Sequence, residues 1–232
     1  MRTLYIITGA NKGLGKAFYD ILISDKDHNI VISISRQVAE DQSLELDNAN
    51  GNFYFCKVDL GTLKNPSSIK IVKKFKKVVD KVVFISNAGI IEPLGLVGQL
   101  DINSTYTSIH VNAIAPSLLL NYIINNFVGK KIDLINISSG ASERTIEGWS
   151  IYCSSKAFTR MLFETIKKEN QTNHNLRVFQ FDPGVIDTDM QHIIRQEDSF
   201  PWQKDFVDLK DSGKLKKPTD VAKSILNEIH AS

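Results

Sequence analysis

Short runs of apolar and β-branched residues recur at Leu4 to Ile7, Ile30 to Ile34, Phe53 to Val58, Val82 to Ile85, Ile132 to Ile137 and Arg177 to Phe181, and each reads as a buried strand. Longer segments with helical spacing lie between them. Ile71, Val72, Phe75, Val78 and Val79 recur at the spacing of one helical face, which predicts an amphipathic helix there. Strand and helix alternate throughout, and parallel strands need crossover connections, so the expected fold class is α/β: a doubly wound, mostly parallel sheet with helices on both faces. Gly and Pro fall at the ends of the runs, with no repeat or linker between them, so one domain over residues 1–232 is expected.

Composition narrows the function classes. The 232 residues are 42% hydrophobic and 23% charged, ordinary globular usage that excludes a disordered or collagenous chain. The 28 basic and 26 acidic residues leave a net charge of +2, too weak a field to select nucleic acid or an anionic membrane, and neither partner is expected. Uninterrupted apolar runs such as Leu118 to Leu120 fall far short of the ~20 residues of a membrane span. The opening MRTLYIITG runs straight into a strand pattern rather than a signal peptide. Cys56 and Cys153 cannot make a disulfide framework and lack metal-motif spacing, so no metal and a reducing, cytoplasmic setting are expected. Lysines 70, 73, 74, 76, 77 and 81 read as the solvated face of the amphipathic helix, and Cys153 as a packing residue.

The first strand runs into Thr8-Gly9-Ala10-Asn11-Lys12-Gly13-Leu14-Gly15 and then a helical stretch, Lys16 to Ile23. Gly9 suits the tight exit from the strand, Gly13 the approach of backbone to a pyrophosphate and Gly15 the packing of helix on sheet, with the helix's positive end facing the anion. A dinucleotide site is the expectation. The second strand ends at Arg36, where a carboxylate would accept a ribose 2′-hydroxyl in an NAD site. A guanidinium there, with Lys12 in the glycine loop, suits a 2′-phosphate, so NADP(H) is the expected cofactor.

Tyr152 and Lys156 stand at i and i+4 at the start of a helical segment, on one face. A nearby cation favours the phenolate and brings a tyrosine toward use as a general acid/base. The strand Ile132 to Ile137 leads into Ser138 and Ser139, at the carboxyl end of a strand where an open α/β sheet presents its ligands.

With these motifs together, the chain resembles the short-chain dehydrogenases/reductases of the compact type over nearly its whole length. By that resemblance the turn Thr8 to Gly15 is similar to the family's cofactor turn, Asp59 and Leu60 to its adenine-side contact, and Asn87-Ala88-Gly89 to the motif after the fourth strand. Pro183, Gly184, Val185 and Thr188 are similar to the nicotinamide-side loop, Asn112 to the catalytic helix asparagine, Ser139 to the carbonyl-binding serine, and Tyr152 and Lys156 to the catalytic tyrosine and the lysine that also holds the nicotinamide ribose. A narrower likeness, through INISSGAS, Gly148-Trp149 and DPGVIDTDMQ, is to the bacterial benzil reductase and sepiapterin reductase-like branch. It implies NADPH-dependent reduction of a hydrophobic ketone or 1,2-diketone.

The resemblance also implies a homodimer. The family's usual seventh strand has no counterpart before Ser232: either the sequence is a shortened piece or the sheet closes at six strands, and both alternatives leave the family's sheet-edge contact between subunits open. Two other readings compete: a dinucleotide-sensing regulator without turnover, against which the intact Ser139, Tyr152 and Lys156 argue, and a sugar epimerase or dehydratase, which Arg36 and the short chain disfavour. Residues 187–214 are rich in bulky apolar side chains. Trp149, Met190 and Trp202, with Ser139 and Tyr152, are the expected substrate contacts, and Phe200-Pro201-Trp202 suits a movable flap.

Overall fold

In the computed structural model, which describes residues 1–46, 51–197 and 200–231, six parallel strands form one sheet: β1 (Thr3–Thr8), β2 (Asn29–Ser35), β3 (Phe53–Lys57), β4 (Lys81–Ser86), β5 (Lys131–Ile137) and β6 (Leu176–Phe181). Their order is β3-β2-β1-β4-β5-β6, all neighbours parallel. All six strands predicted from the apolar runs are present. Every residue of β1 is buried, as a strand covered on both faces requires.

Alternate side chains of each strand feed two cores. Leu4 and Ile6 face α5 (Ala115–Asn126) and α6 (Ser150–Glu169), meeting Leu119, Ile123 and Phe163. Tyr5 and Ile7 face α1 (Gly13–Leu22) and α9 (Pro218–Ala231), meeting Phe18, Ala222 and Ile225. A third cluster sits above the carboxyl ends of the strands, where α7 (Asp189–Gln196) and α8 (Gln203–Asp211) pack over Trp149 and Tyr152. The remaining helices are α2 (Glu40–Leu46), α3 (Ile71–Lys74) and α4 (Ile102–Ile109), the last continued into α5 by a π turn at His110–Ile114.

Three expectations need correction. The amphipathic helix predicted from Ile71 to Val79 is a single turn, α3, followed by turns: Ile69, Val72, Phe75 and Val79 are buried while Val78 is half exposed. Like charges at Lys73, Lys76 and Lys77, three and four residues apart, oppose a longer helix. Lys81 leaves the solvated face altogether, since it opens β4 and its ammonium pairs with Asp133, whose side chain is 2% exposed. Finally, the helical span Ile102–Asn126 is long and apolar enough by composition to cross a membrane, although no single run within it is. More than half of its most apolar 18-residue stretch is buried within the fold, as befits a core helix.

Candidate active site

The strand order reverses between β1 and β4, and the crevice outside the carboxyl ends of these strands is where an open α/β sheet binds ligands. Thr8 laces the two ends together: its Oγ1 accepts from the Asn87 and Ala88 amides, each at 3.0 Å. Asn87 Nδ2 returns to the Thr8 and Gly9 carbonyls at 2.9 and 3.3 Å.

The glycine turn has the geometry of an anion cradle. Gly9 and Gly13 hold positive φ of 69° and 56°, and a Cβ on Gly15 would stand 2.2 Å from the Gly9 carbonyl oxygen and 2.5 Å from Asn87 Nδ2. The amino end of α1 receives no capping bond from the Lys12 side chain and carries no acidic residue in its first turn, so its amides and dipole are left to an anion. Leu14 packs into the core beneath, and Asn11 is half-buried on the turn. These residues fit a dinucleotide pyrophosphate. Arg36 is exposed at the bend after β2. Lys12, expected to share a 2′-phosphate with it, instead reaches Asp189 Oδ2 at 2.8 Å. Asp59 Oδ1 accepts from the Gly61 amide at 2.9 Å, and the Leu60 side chain is buried, its carbonyl receiving His110 Nδ1 at 2.8 Å.

Gly184, at φ 70°, closes a second loop: its amide donates to Asp182 Oδ1, and Lys216 Nζ donates to the Pro183 carbonyl. The Lys216 amide donates to the Val185 carbonyl at 3.0 Å. Thr188, at the amino end of α7, abuts the glycine turn, its Cγ2 lying 3.2 Å from where a Gly13 Cβ would be. The two loops therefore flank one cleft.

At the mouth of β5 and β6 the remaining groups converge. Ser139 follows β5 and lies where its hydroxyl favours the Tyr152 phenolate, while its Oγ accepts from the Ala141 amide at 3.2 Å. Tyr152 and Lys156 project from one face of α6, with Lys156 Nζ 5.8 Å from the phenol ring centroid and donating to the Ile137 carbonyl at 2.9 Å. Asn112 lies in the π turn, where Nδ2 and Oδ1 pair with the carbonyl and amide of Ile90 at 2.8 and 2.9 Å. Its Nδ2 also reaches Ser155 Oγ at 3.2 Å. A Cβ at Gly89 would lie 3.5 Å from Asn112 Oδ1 and 3.7 Å from Lys156 Nζ, so the strand-4 loop, the π turn and the lysine meet at one point.

The electrostatics differ from the simple expectation that the lysine controls the tyrosine. Burial pushes the Tyr152 phenol up to about 12, the Ser139 hydroxyl opposes this, and Asp182 and Cys153 add to it. Burial also brings the Lys156 ammonium down to about 8, with Asp182 countering. Asp182 was not legible as a site residue, although its place just before Pro183-Gly184 could have signalled it.

One wall is aromatic. The Trp149 indole stands edge-on to Tyr152 at 5.6 Å between centroids, stacks on Phe200 at 5.3 Å and touches Phe206 at 5.6 Å. Gly148, at φ 81°, leaves room for the Phe200 ring. Met190 packs against the same cluster. Trp202 stands outside it, about half exposed, so the inward aromatic of Phe200-Pro201-Trp202 is the first one. Residues 198 and 199 of this segment lie outside the described residues. Phe206 was missed as a site residue because only the packing of α8 brings it to Trp149.

Residues 3–199 match the family described as short chain dehydrogenase. The benzil reductase ((S)-benzoin forming) of Bacillus cereus is 33% identical over 230 residues, covering 96% of this chain and 92% of that protein. The sepiapterin reductase of Bos taurus is 25% identical over 236 residues, covering 92% and 84%. Among solved structures, the KRED1-Pglu enzyme superposes with a TM-score of 0.83 at 26% identity, covering 95% of this chain and 91% of that one. The glycine turn at the strand switch point and the Ser139, Tyr152 and Lys156 convergence thus agree with the family match: the chain belongs to the short-chain dehydrogenase family, which binds a nicotinamide dinucleotide, and is an oxidoreductase acting on carbonyl or alcohol groups.

Proposed function

We propose that this protein is an NADPH-dependent carbonyl reductase for hydrophobic ketones and 1,2-diketones, a single domain that works as a homodimer in the cytoplasm. The observation that carries the reading is the placement of Ser139, Tyr152 and Lys156 beside the stacked Trp149 and Phe200. A protonated phenol, a neighbouring hydroxyl and a flat apolar wall suit a bulky carbonyl rather than a polyol. The benzil and sepiapterin reductase likenesses support the same substrate class.

The glycine turn and the amino end of α1 would hold the pyrophosphate, Arg36 the 2′-phosphate, Asp59 and the Leu60 backbone the adenine side, and Asn87 to Gly89, Pro183 to Val185 and Thr188 the nicotinamide side. When bound, the dihydronicotinamide supplies the hydride to the carbonyl carbon. Ser139 donates a hydrogen bond to the carbonyl oxygen and polarises it. Tyr152 gives its phenolic proton to the developing alkoxide, and the charged Lys156 stabilises the phenolate left behind. Asn112 fixes the loop at Ile90 against which Lys156 lies. Trp149, Met190 and the Phe200 edge of the flap exclude water from the reacting carbonyl, with Trp202 at the rim.

A homodimer is supported by exposed apolar side chains on packed helices: Ile102, Tyr106 and Ile109 along α4, and Phe158 and Met161 on α6. Two free, partly buried cysteines fit a reducing cytoplasm. The reading is tested by NADPH oxidation with benzil, 1-phenyl-1,2-propanedione and a polyol. Diketone reduction well above polyol turnover is expected, and the reverse order would refute the substrate class.

A further inference from the structure

Among the described residues, five have a buried side-chain polar atom without a hydrogen-bond partner, and four of these belong to the start of α6 and to α7, the helix packed over it: Trp149 Nε1, Ser150 Oγ, Gln191 Oε1 and Arg195 Nη1. A buried polar atom without a partner is costly, and native structures contain few, so their concentration beside one wall needs a cause. Trp149 is the sharpest case. Its side chain has a single polar group, a donor, and the residue is 5% exposed. It is also the one of the four whose ring contacts Tyr152, at 5.6 Å between centroids.

We propose that the Trp149 indole N–H donates to the second, non-reacting oxygen of a 1,2-dicarbonyl, and so makes Trp149 the residue that selects diketones over simple ketones. In a vicinal diketone the second carbonyl carbon is bonded directly to the reacting one. When Ser139 and Tyr152 hold the first oxygen, the second is carried toward the adjacent wall, where the indole stands. A monoketone brings no acceptor and leaves the N–H unpaired, which is how a site built for a hydrogen bond discriminates against an analogue lacking the group. The Phe200 and Phe206 rings that cover the indole must move aside for the oxygen to arrive; Phe200 rests against Gly148, at φ 81°, with Pro201 beside it.

This inference rests on the carbonyl reductase reading, and the experiment separates the two. Steady-state kcat/KM is measured for benzil and for its monoketone analogue deoxybenzoin with the unmodified protein, Trp149→Phe and Trp149→His, the last keeping a ring N–H. Trp149→Phe should lower the benzil-to-deoxybenzoin ratio about tenfold, the size of one 1.4 kcal/mol contact, and Trp149→His should restore part of it. A ratio within about twofold of the parent for Trp149→Phe overturns the proposal. If that variant does not fold, the unmodified protein decides: with 15N-labelled tryptophan and NADP+ present, the Trp149 indole proton should move downfield on adding benzil and stay in place with deoxybenzoin. Trp202→Phe assigns the two indole signals. An indole proton unmoved by benzil also overturns the proposal. Failure of the unmodified protein to reduce either ketone sinks the reductase reading, and this inference with it.

Discussion

Lys12 on the glycine turn and Asp189 at the start of α7 form an ion pair of 2.8 Å that joins the cofactor side of the cleft to the substrate side. Both side chains are well exposed, so the pair adds little stability, but it engages the Lys12 ammonium on the substrate side. In the proposed NADPH site Arg36 is then the principal cation for the 2′-phosphate. Arg36→Ala should weaken NADPH use by about tenfold or more and leave NADH nearly unchanged, since one charged hydrogen bond contributes roughly 1.5 to 3 kcal/mol. Asp189→Asn frees Lys12 and should raise the NADPH-to-NADH ratio of kcat/KM. Equal efficiency with both cofactors in the unmodified protein, or a lower ratio in Asp189→Asn, contradicts this assignment.

Gly15→Ala tests the cradle. The new Cβ would lie 2.2 Å from the Gly9 carbonyl oxygen, a backbone atom that cannot swing away, so the turn must open. Calorimetric titration should show loss of dinucleotide binding, and binding of parental strength would show that this turn does not carry the pyrophosphate.

A pH profile follows from the two buried groups. In the proposed mechanism, reduction needs Tyr152 protonated and Lys156 charged. The phenol, at about 12, stays protonated across the accessible range, whereas the ammonium, at about 8, is lost as pH rises through that value. The kcat/KM for reduction should be flat below about pH 8 and fall above it with the loss of one proton. A profile that instead rises between pH 8 and 10 would show that Lys156 acts in its neutral form.

Stability has its own test far from the chemistry. Asp133, buried on β5, takes Arg177 Nε and Nη2 at 2.8 and 2.7 Å and also pairs with Lys81. Asp133→Asn leaves two cations facing one another, the Lys81 side chain 12% exposed, at a cost of about 3 kcal/mol. For a chain of this size that lowers Tm on the order of 6–12 °C, readable by scanning calorimetry. A melting temperature within about 2 °C of the parent would show that the cluster is not structural.

What could be read from sequence was local chemistry. Thr8 to Gly15 is one turn between a strand and a helix, and Tyr152 and Lys156 meet because four residues of helix bring them together. The strands announced themselves because a sheet covered on both faces must be apolar along its length. What stayed hidden depends on packing between distant segments. Asp182 reaches the electrostatics of Tyr152 from the end of β6, Phe206 joins Trp149 through α8, and Lys12 finds Asp189 across the cleft. The segment after Lys74 misled because apolar periodicity outweighed the like charges of its lysines, and which of the two aromatics flanking Pro201 turns inward is not written in the sequence.

The central claim, that Tyr152 is the proton donor, is tested most directly by Tyr152→Phe, which removes the hydroxyl and keeps the ring that packs on Trp149. NADPH oxidation in the presence of benzil should fall by at least about a hundredfold, the usual range for a lost general acid, while NADPH binds within a few-fold of the parent affinity. Turnover within a few-fold of the parent would contradict the account.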